Sequence, residues 1–151
     1  MNAEKYTEKS LEPIRSAQTV SKEYGSQQIE TEHLLLALLT QEGGLIPELL
    51  AKMGQDVPSL IGQTEELCGR LPRVSGNMSD LSNIYVSRNV EQILLNAEKT
   101  ADNMKDDYVS VEHVMLSLLE NATGNTAQML QRNGITKDGF LKVLSEVRGA
   151  T

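Results

Sequence analysis

The chain is written twice. Displaced against itself by 80 residues, the block Ile29-Glu30-Thr31-Glu32-His33-Leu34-Leu35-Leu36-Ala37-Leu38-Leu39 falls on Val109-Ser110-Val111-Glu112-His113-Val114-Met115-Leu116-Ser117-Leu118-Leu119. The match runs without a gap from Thr7/Ser87 to Gly69/Gly149. Its shared positions are leucines at core spacing (Leu36/Leu116, Leu38/Leu118, Leu39/Leu119, Leu50/Leu130), glycines at helix ends (Gly44/Gly124, Gly54/Gly134, Gly69/Gly149) and the pairs Glu32-His33 and Glu112-His113. A repeat that preserves core and stop positions dictates two copies of one structural unit. With 151 residues in all, two half-domains sharing one core fit the length better than two independent domains, since a chain of this size buries roughly two-thirds of its unfolded surface.

Each copy reads as four helices. The first run about Glu8 to Tyr24 and Arg88 to Met104, with Thr7 and Ser87 placed to cap them and Pro13 inside the first, where it removes a backbone hydrogen bond and favours a bend. The second run about Thr31 to Thr40 and Val111 to Glu120; they are apolar nearly all round, which makes them the buried centre of each half, and Glu32 and Glu112 sit in a first turn where the helix dipole favours a carboxylate. Third helices follow at about Ile46 to Met53 and Thr126 to Asn133, stopped by Gly54 and Gly134. Fourth helices follow at about Val57 to Cys68 and Lys137 to Arg148, capped by Asp56 and Thr136 and stopped by Gly69 and Gly149. The polar, turn-rich stretch between the copies reads as a partly mobile linker. The expected fold is all-α: two pseudo-symmetric four-helix repeats, 7–69 and 87–149, joined by a 70–86 linker and packed as one domain.

Several function classes are excluded or disfavoured. A formal charge of −7 opposes the phosphate backbone, so nucleic acid is not an expected partner. The longest apolar run, Leu34 to Leu39, is too short to span a bilayer, and the opening Met1-Asn2-Ala3-Glu4-Lys5 is no signal peptide, which points to a cytoplasmic protein. A single cysteine, Cys68, allows no internal disulfide, and its acidic neighbours Glu65 and Glu66 argue against a nucleophile. There is no phosphate-cradling glycine motif, so no cofactor site and no catalytic residue is expected. The two histidines, His33 and His113, open buried helices of separate halves; packing at a helix start explains them better than a metal site, and a small helical metalloprotein or hydrolase built on them stands as the remote alternative.

What remains is shape. Two equivalent units meeting about an approximate two-fold axis leave a groove along their junction, between the paired first helices and the starts of the second. Leu11, Val90, Ile93 and Leu94 are expected to make it apolar, with Glu32, Asp106, Asp107 and Glu112 as an acidic rim. The first-helix faces differ between the copies, as at Pro13/Ile93, Ser10/Val90 and Gln27/Asp107, and binding specificity is expected to reside in such asymmetries.

The doubled Glu-His-Leu block, its echo from Tyr108 to Leu119 and the Leu-Leu-x-x-x-Gly spacing that ends at Gly54 resemble the Clp N-terminal double repeat over essentially the whole chain. Tyr6-Thr7-Glu8-Lys9-Ser10-Leu11 and Arg70-Leu71-Pro72-Arg73-Val74 resemble the ClpB type more than the ClpC type. The resemblance implies a non-catalytic, substrate-binding N-terminal domain of a hexameric AAA+ disaggregase. Such a domain recognises exposed apolar or unfolded segments and passes them to a central pore, with ATP and Mg used in other modules and the DnaK chaperone system as co-worker. It also implies that Thr7, Asp106 and Glu112 handle substrate, and that in a ClpC-type domain Glu32 and Glu112 contact phosphoarginine or the domain binds an adaptor. The chain departs from the ClpC pattern at Glu30, Ser110 and Val111. The isolated domain is expected to be monomeric.

Overall fold

In the computed structural model, residues 1–73 and 85–149 are described. Among them are eight α-helices: α1 (Glu8–Glu23), α2 (Thr31–Thr40), α3 (Leu45–Lys52), α4 (Val57–Arg70), α5 (Arg88–Asn103), α6 (Val111–Asn121), α7 (Gly124–Arg132) and α8 (Lys137–Gly149). A short 3-10 turn, Ala3–Lys5, precedes them. The helix starts follow from their caps. The side chains of Thr7, Asp56 and Ser87 accept from the backbone N–H groups of Ser10, Ser59 and Val90, which the first turn of a helix leaves without partners. Gly54 and Gly134 adopt positive φ (86° and 69°) and end α3 and α7 as expected. Gly69, by contrast, lies inside α4, which runs on to Arg70.

Helices α2 and α6 form the centre. Leu34, Leu35, Leu38, Met115, Leu116 and Leu118 are all fully buried, and each large apolar side chain removed from water contributes about 1.5–3 kcal/mol relative to exposure. Helices α1 and α4 pack on α2, while α5 and α8 pack on α6. The halves are also interleaved: α1 touches α6 and α5 touches α2, and α3 touches α8 as α4 touches α7. Each of these pairs maps onto its partner under the 80-residue displacement.

The same reciprocity appears in the backbone. Thr7 N–H donates to the Val109 carbonyl (3.0 Å) and Val109 N–H to the Lys5 carbonyl (2.7 Å). In mirror fashion Ile29 N–H donates to the Tyr85 carbonyl (2.8 Å) and Ser87 N–H to the Ile29 carbonyl (2.9 Å). These make two isolated parallel bridges, Tyr6 with Val109 and Val86 with Ile29. The segment that leads into the first helix of one copy is therefore stitched to the segment before the central helix of the other, which makes the two repeats one unit. Most of the expected 70–86 linker, residues 74–84, lies outside the described residues, and so does its expected mobility. At its ends the structure corrects the boundaries, because Arg70 is helical and Val86 is bridged.

Pro13 does not interrupt α1. Lacking an N–H, it leaves the Lys9 carbonyl without its helical donor. The side-chain amide of Gln41, from the end of α2, fills that place at 2.8 Å. Gln41→Leu is expected to cost about 1 kcal/mol in urea denaturation, and the cost should disappear in a Pro13→Ala background, where residue 13 regains its own N–H. An equal cost in both backgrounds would contradict this account.

Candidate functional site

Residues of α1 and α5 border a common groove of about 350 Å³. Ile14, Arg15 and Gln18 of α1 form one wall and Glu91 and Leu94 of α5 the other, with Ile29, Val86 and Met1 completing the lining. Ile14 and Leu94 are equivalent positions of the two copies. The lining is mostly apolar, with one cation and one anion on opposite walls, a composition suited to apolar side chains with polar groups at the margin.

The expected groove is thus present, but its residues are mostly different ones. Leu94 lines it. Val90 and Ile93 do not, being 2% and 0% exposed: with Leu94, Ala97 and Ala101 they form the helical stripe that α5 buries. Leu11 packs half-buried against the core and is not among the groove residues. Sequence reasoning missed Ile14, Gln18, Ile29 and Val86, which carry no shared leucine or glycine to mark them.

Nor do the expected acidic residues rim this groove. Thr7 and Glu112 line a separate cleft of about 340 Å³ with Lys9, Gln41, Leu45 and Ser110. There the Thr7 hydroxyl accepts from Ser10 N–H as the α1 cap (3.1 Å). Glu112 is 9% exposed and pairs with Arg148 at 3.1 Å. Arg148 also reaches Asp106 at 2.9 Å. Burial alone would raise the Asp106 carboxyl, yet hydrogen bonds from His113 and Arg148 outweigh it and hold the group below its usual range. Burial works against the Arg148 charge in the same way and is likewise overcome by the two carboxylates. Asp106 and Glu112 therefore tie the end of α8 to the start of α6. Glu32 occupies the equivalent place in the other copy, where burial, reinforced by Glu30, raises its pKa above the ordinary carboxylate value.

The histidines have a definite structural task. His33 Nδ1 accepts the Glu30 backbone N–H and His113 Nδ1 accepts that of Ser110, each at 2.8 Å. Each histidine takes the place of the Glu or Gln that closes a capping box. With Nδ1 accepting, the neutral ring carries its proton on Nε2, an assignment made from the hydrogen-bond partners. That nitrogen meets Ser26 Oγ at 3.3 Å in the first copy and Asp106 Oδ2 at 2.7 Å in the second. Both rings are 0% exposed, and neither neutral ring keeps a lone pair for a metal, so the metalloprotein alternative finds no support in them. Among the described residues no cluster of three or more His, Cys, Asp or Glu could hold a metal ion. Cys68 is buried, which pushes its thiol up to about 12 and keeps it unreactive.

Burial lowers the His33 pKa. The unfolded chain then binds a proton near pH 6.5 that the folded chain refuses, so stability is full above that pH and declines as pH falls toward the folded value, by up to about 1.4 kcal/mol per pH unit. Urea denaturation of the wild type and of His33→Gln between pH 7.5 and 5 should show the decline in the first and a shallower one in the second. Parallel slopes would contradict the assignment.

The model of the Clp repeat (R) N-terminal domain family matches residues 5–133. The chain is 38% identical over 151 residues to the chaperone protein ClpB of Clostridium perfringens, covering 99% of this chain and 17% of that protein. It is likewise 38% identical over 149 residues to the ClpB of Bacillus cereus strain ATCC 14579. Among solved structures, the Hsp104 N-terminal domain of Candida albicans superposes with a TM-score of 0.81 at 20% identity, covering 97% of this chain and 93% of that one. The ClpV N-domain in its complex with a VipB peptide does so with 0.71 at 14% identity, covering 94% and 86%. The reciprocal stitching of two helical repeats, the paired Glu-His openings and a match across most of the chain lead to one assignment: the chain belongs to the Clp repeat N-terminal domain family.

Proposed function

We propose that this domain binds exposed apolar segments of unfolded or aggregated proteins in the α1/α5 groove. The observation that carries the reading is the groove itself: an open, mostly apolar trough bordered by residues of both repeats, of a size that accepts side chains and not a whole globular surface. A ClpV N-domain of the same fold forms a complex with a VipB peptide, which supports peptide binding as a use of this architecture. The chain spans 17% of the length of its curated ClpB relative from Clostridium perfringens. The wider activity is therefore part of the proposal: a cytoplasmic, ring-forming hexamer that hydrolyses ATP with Mg in other modules, threads the captured segment through its pore and works with the DnaK system. In that scheme the domain contributes capture and no covalent chemistry, and alone it is a monomer. Among the described residues no single helix is long and apolar enough to cross a membrane.

Titration with a fluorescent, permanently unfolded polypeptide tests the reading. Saturable binding is expected in the wild type and a loss of at least about tenfold in Ile14→Lys, a change on a half-exposed wall position that leaves helicity intact. Phosphoarginine is the matching control. Binding of that ligand, lost on Glu32→Ala or Glu112→Ala, with no response to the polypeptide, would replace this reading by the ClpC type. The structure favours the first outcome, because Glu112 already holds Arg148.

A further inference from the structure

The groove has its own template in the other repeat. Displaced by 80 residues, Ile14, Gln18 and Val86 fall on Leu94, Glu98 and Tyr6. In that second setting the site is occupied. Tyr6 is 5% exposed, and its hydroxyl lies 3.1 Å from the Leu94 carbonyl and 3.0 Å from Glu98 Oε2. The backbone that presents the two residues is held alike, since Tyr6 is bridged to Val109 as Val86 is to Ile29. Valine is shorter than tyrosine by a phenol ring, and the open groove lies where Val86, Ile14 and Gln18 meet. The groove is in these terms the tyrosine site of one repeat, left vacant in the other.

Resting on the peptide-binding reading, we infer that this groove selects an aromatic side chain of the bound segment, tyrosine first and phenylalanine second. The ring packs between Ile14 and Leu94, and the hydroxyl takes the place of the Tyr6 hydroxyl, next to the Ile14 carbonyl and the Gln18 amide oxygen. The replacement of Glu98 by Gln18 keeps an acceptor at that place and removes its charge, so neighbouring acidic residues of a substrate are not repelled. Met1 also lines the groove but is 56% exposed, and a thioether has no proton to offer the two acceptors. It is a displaceable cover and not a substitute for the ring.

Capped peptides of one sequence that differ only in a central Tyr, Phe, Leu or Ala, titrated by fluorescence anisotropy against the full chain, test this. The tyrosine peptide should bind about fivefold more tightly than the leucine peptide, the equivalent of one net hydrogen bond, with phenylalanine between them and alanine weakest. Gln18→Leu should narrow the difference between the tyrosine and phenylalanine peptides, because it removes one of the hydroxyl's two acceptors and leaves the Ile14 carbonyl; an unchanged difference would count against the inference. Val86→Tyr copies Tyr6 into the groove, and it should lose binding of every peptide by at least about tenfold without lowering the thermal midpoint. Equal affinity for the tyrosine and leucine peptides, or wild-type affinity in a folded Val86→Tyr, would overturn the aromatic preference. Should Val86→Tyr fail to fold, the Gln18→Leu comparison decides alone. Polypeptide binding that is sensitive to Ile14→Lys yet shows no aromatic preference would sink this inference and spare the reading beneath it; binding indifferent to Ile14→Lys would sink that reading itself.

Discussion

His113→Ala is expected to lower stability by about 3–4 kcal/mol. The ring is fully buried, and truncating a side chain of that size in a packed interior leaves a cavity that by itself costs about 2 kcal/mol or more. The change also removes the acceptor of the Ser110 N–H and a hydrogen-bond partner of Asp106, and a buried donor left without a partner adds about 1–3 kcal/mol. Asp106 still has Arg148, which keeps the sum below the arithmetic total. His113→Gln should be milder, about 1–2 kcal/mol, because glutamine at the same place of a capping box also reaches the N-cap N–H. Urea denaturation at pH 7.5 measures both, and a loss below about 1 kcal/mol for alanine would mean that the ring does not hold the start of α6.

Leu94→Asp should be at least as severe, with a loss of about 4 kcal/mol or more, and should leave little folded protein at 37 °C. Although Leu94 touches the groove, it is 4% exposed, and its carbonyl receives the Tyr6 hydroxyl. A carboxylate there has no cation within its own helix face, sits one turn from Glu98, and must either be desolvated or take up a proton. Near-native stability with loss of polypeptide binding would show that Leu94 is a surface groove residue and not a core one. The distinction governs how the groove is probed: Ile14 and Val86, half-buried and on the wall, change binding without removing the floor.

How legible this was depends on what each residue does. The helices and the pseudo-symmetry could be read from the doubled leucines and caps because those positions obey local rules: a 3.6-residue period, a side-chain oxygen before a first turn, a glycine after a last one. The reciprocal bridges of Tyr6 with Val109 and Val86 with Ile29 could not, because each joins residues nearly 60 or more than 100 positions apart, and single bridged residues have no period. The groove position followed from symmetry, but its residues did not. Val90 and Ile93 belong to an apolar stripe that looks the same whether it faces a core or a trough, and only the packing of α6 against α5 decides between them. The acidic rim was misplaced for a related reason: Glu112 borders a separate cleft, and Arg148, 42 positions from Asp106, ties Asp106 and Glu112 to the end of α8. The signal that would have located the groove lies one residue before the aligned block, where Tyr6 stands opposite Val86.

The proposed seat of substrate is the α1/α5 groove. Methyl-resolved NMR of the isotopically labelled domain, titrated with an unfolded apolar polypeptide, tests it most directly. The methyl signals of Ile14, Ile29, Val86 and Leu94 should shift together and saturate with one affinity, while those of Leu45 and Val111 in the Thr7/Glu112 cleft stay in place. Shifts centred on Leu45 and Val111, with the groove methyls unmoved, would contradict it.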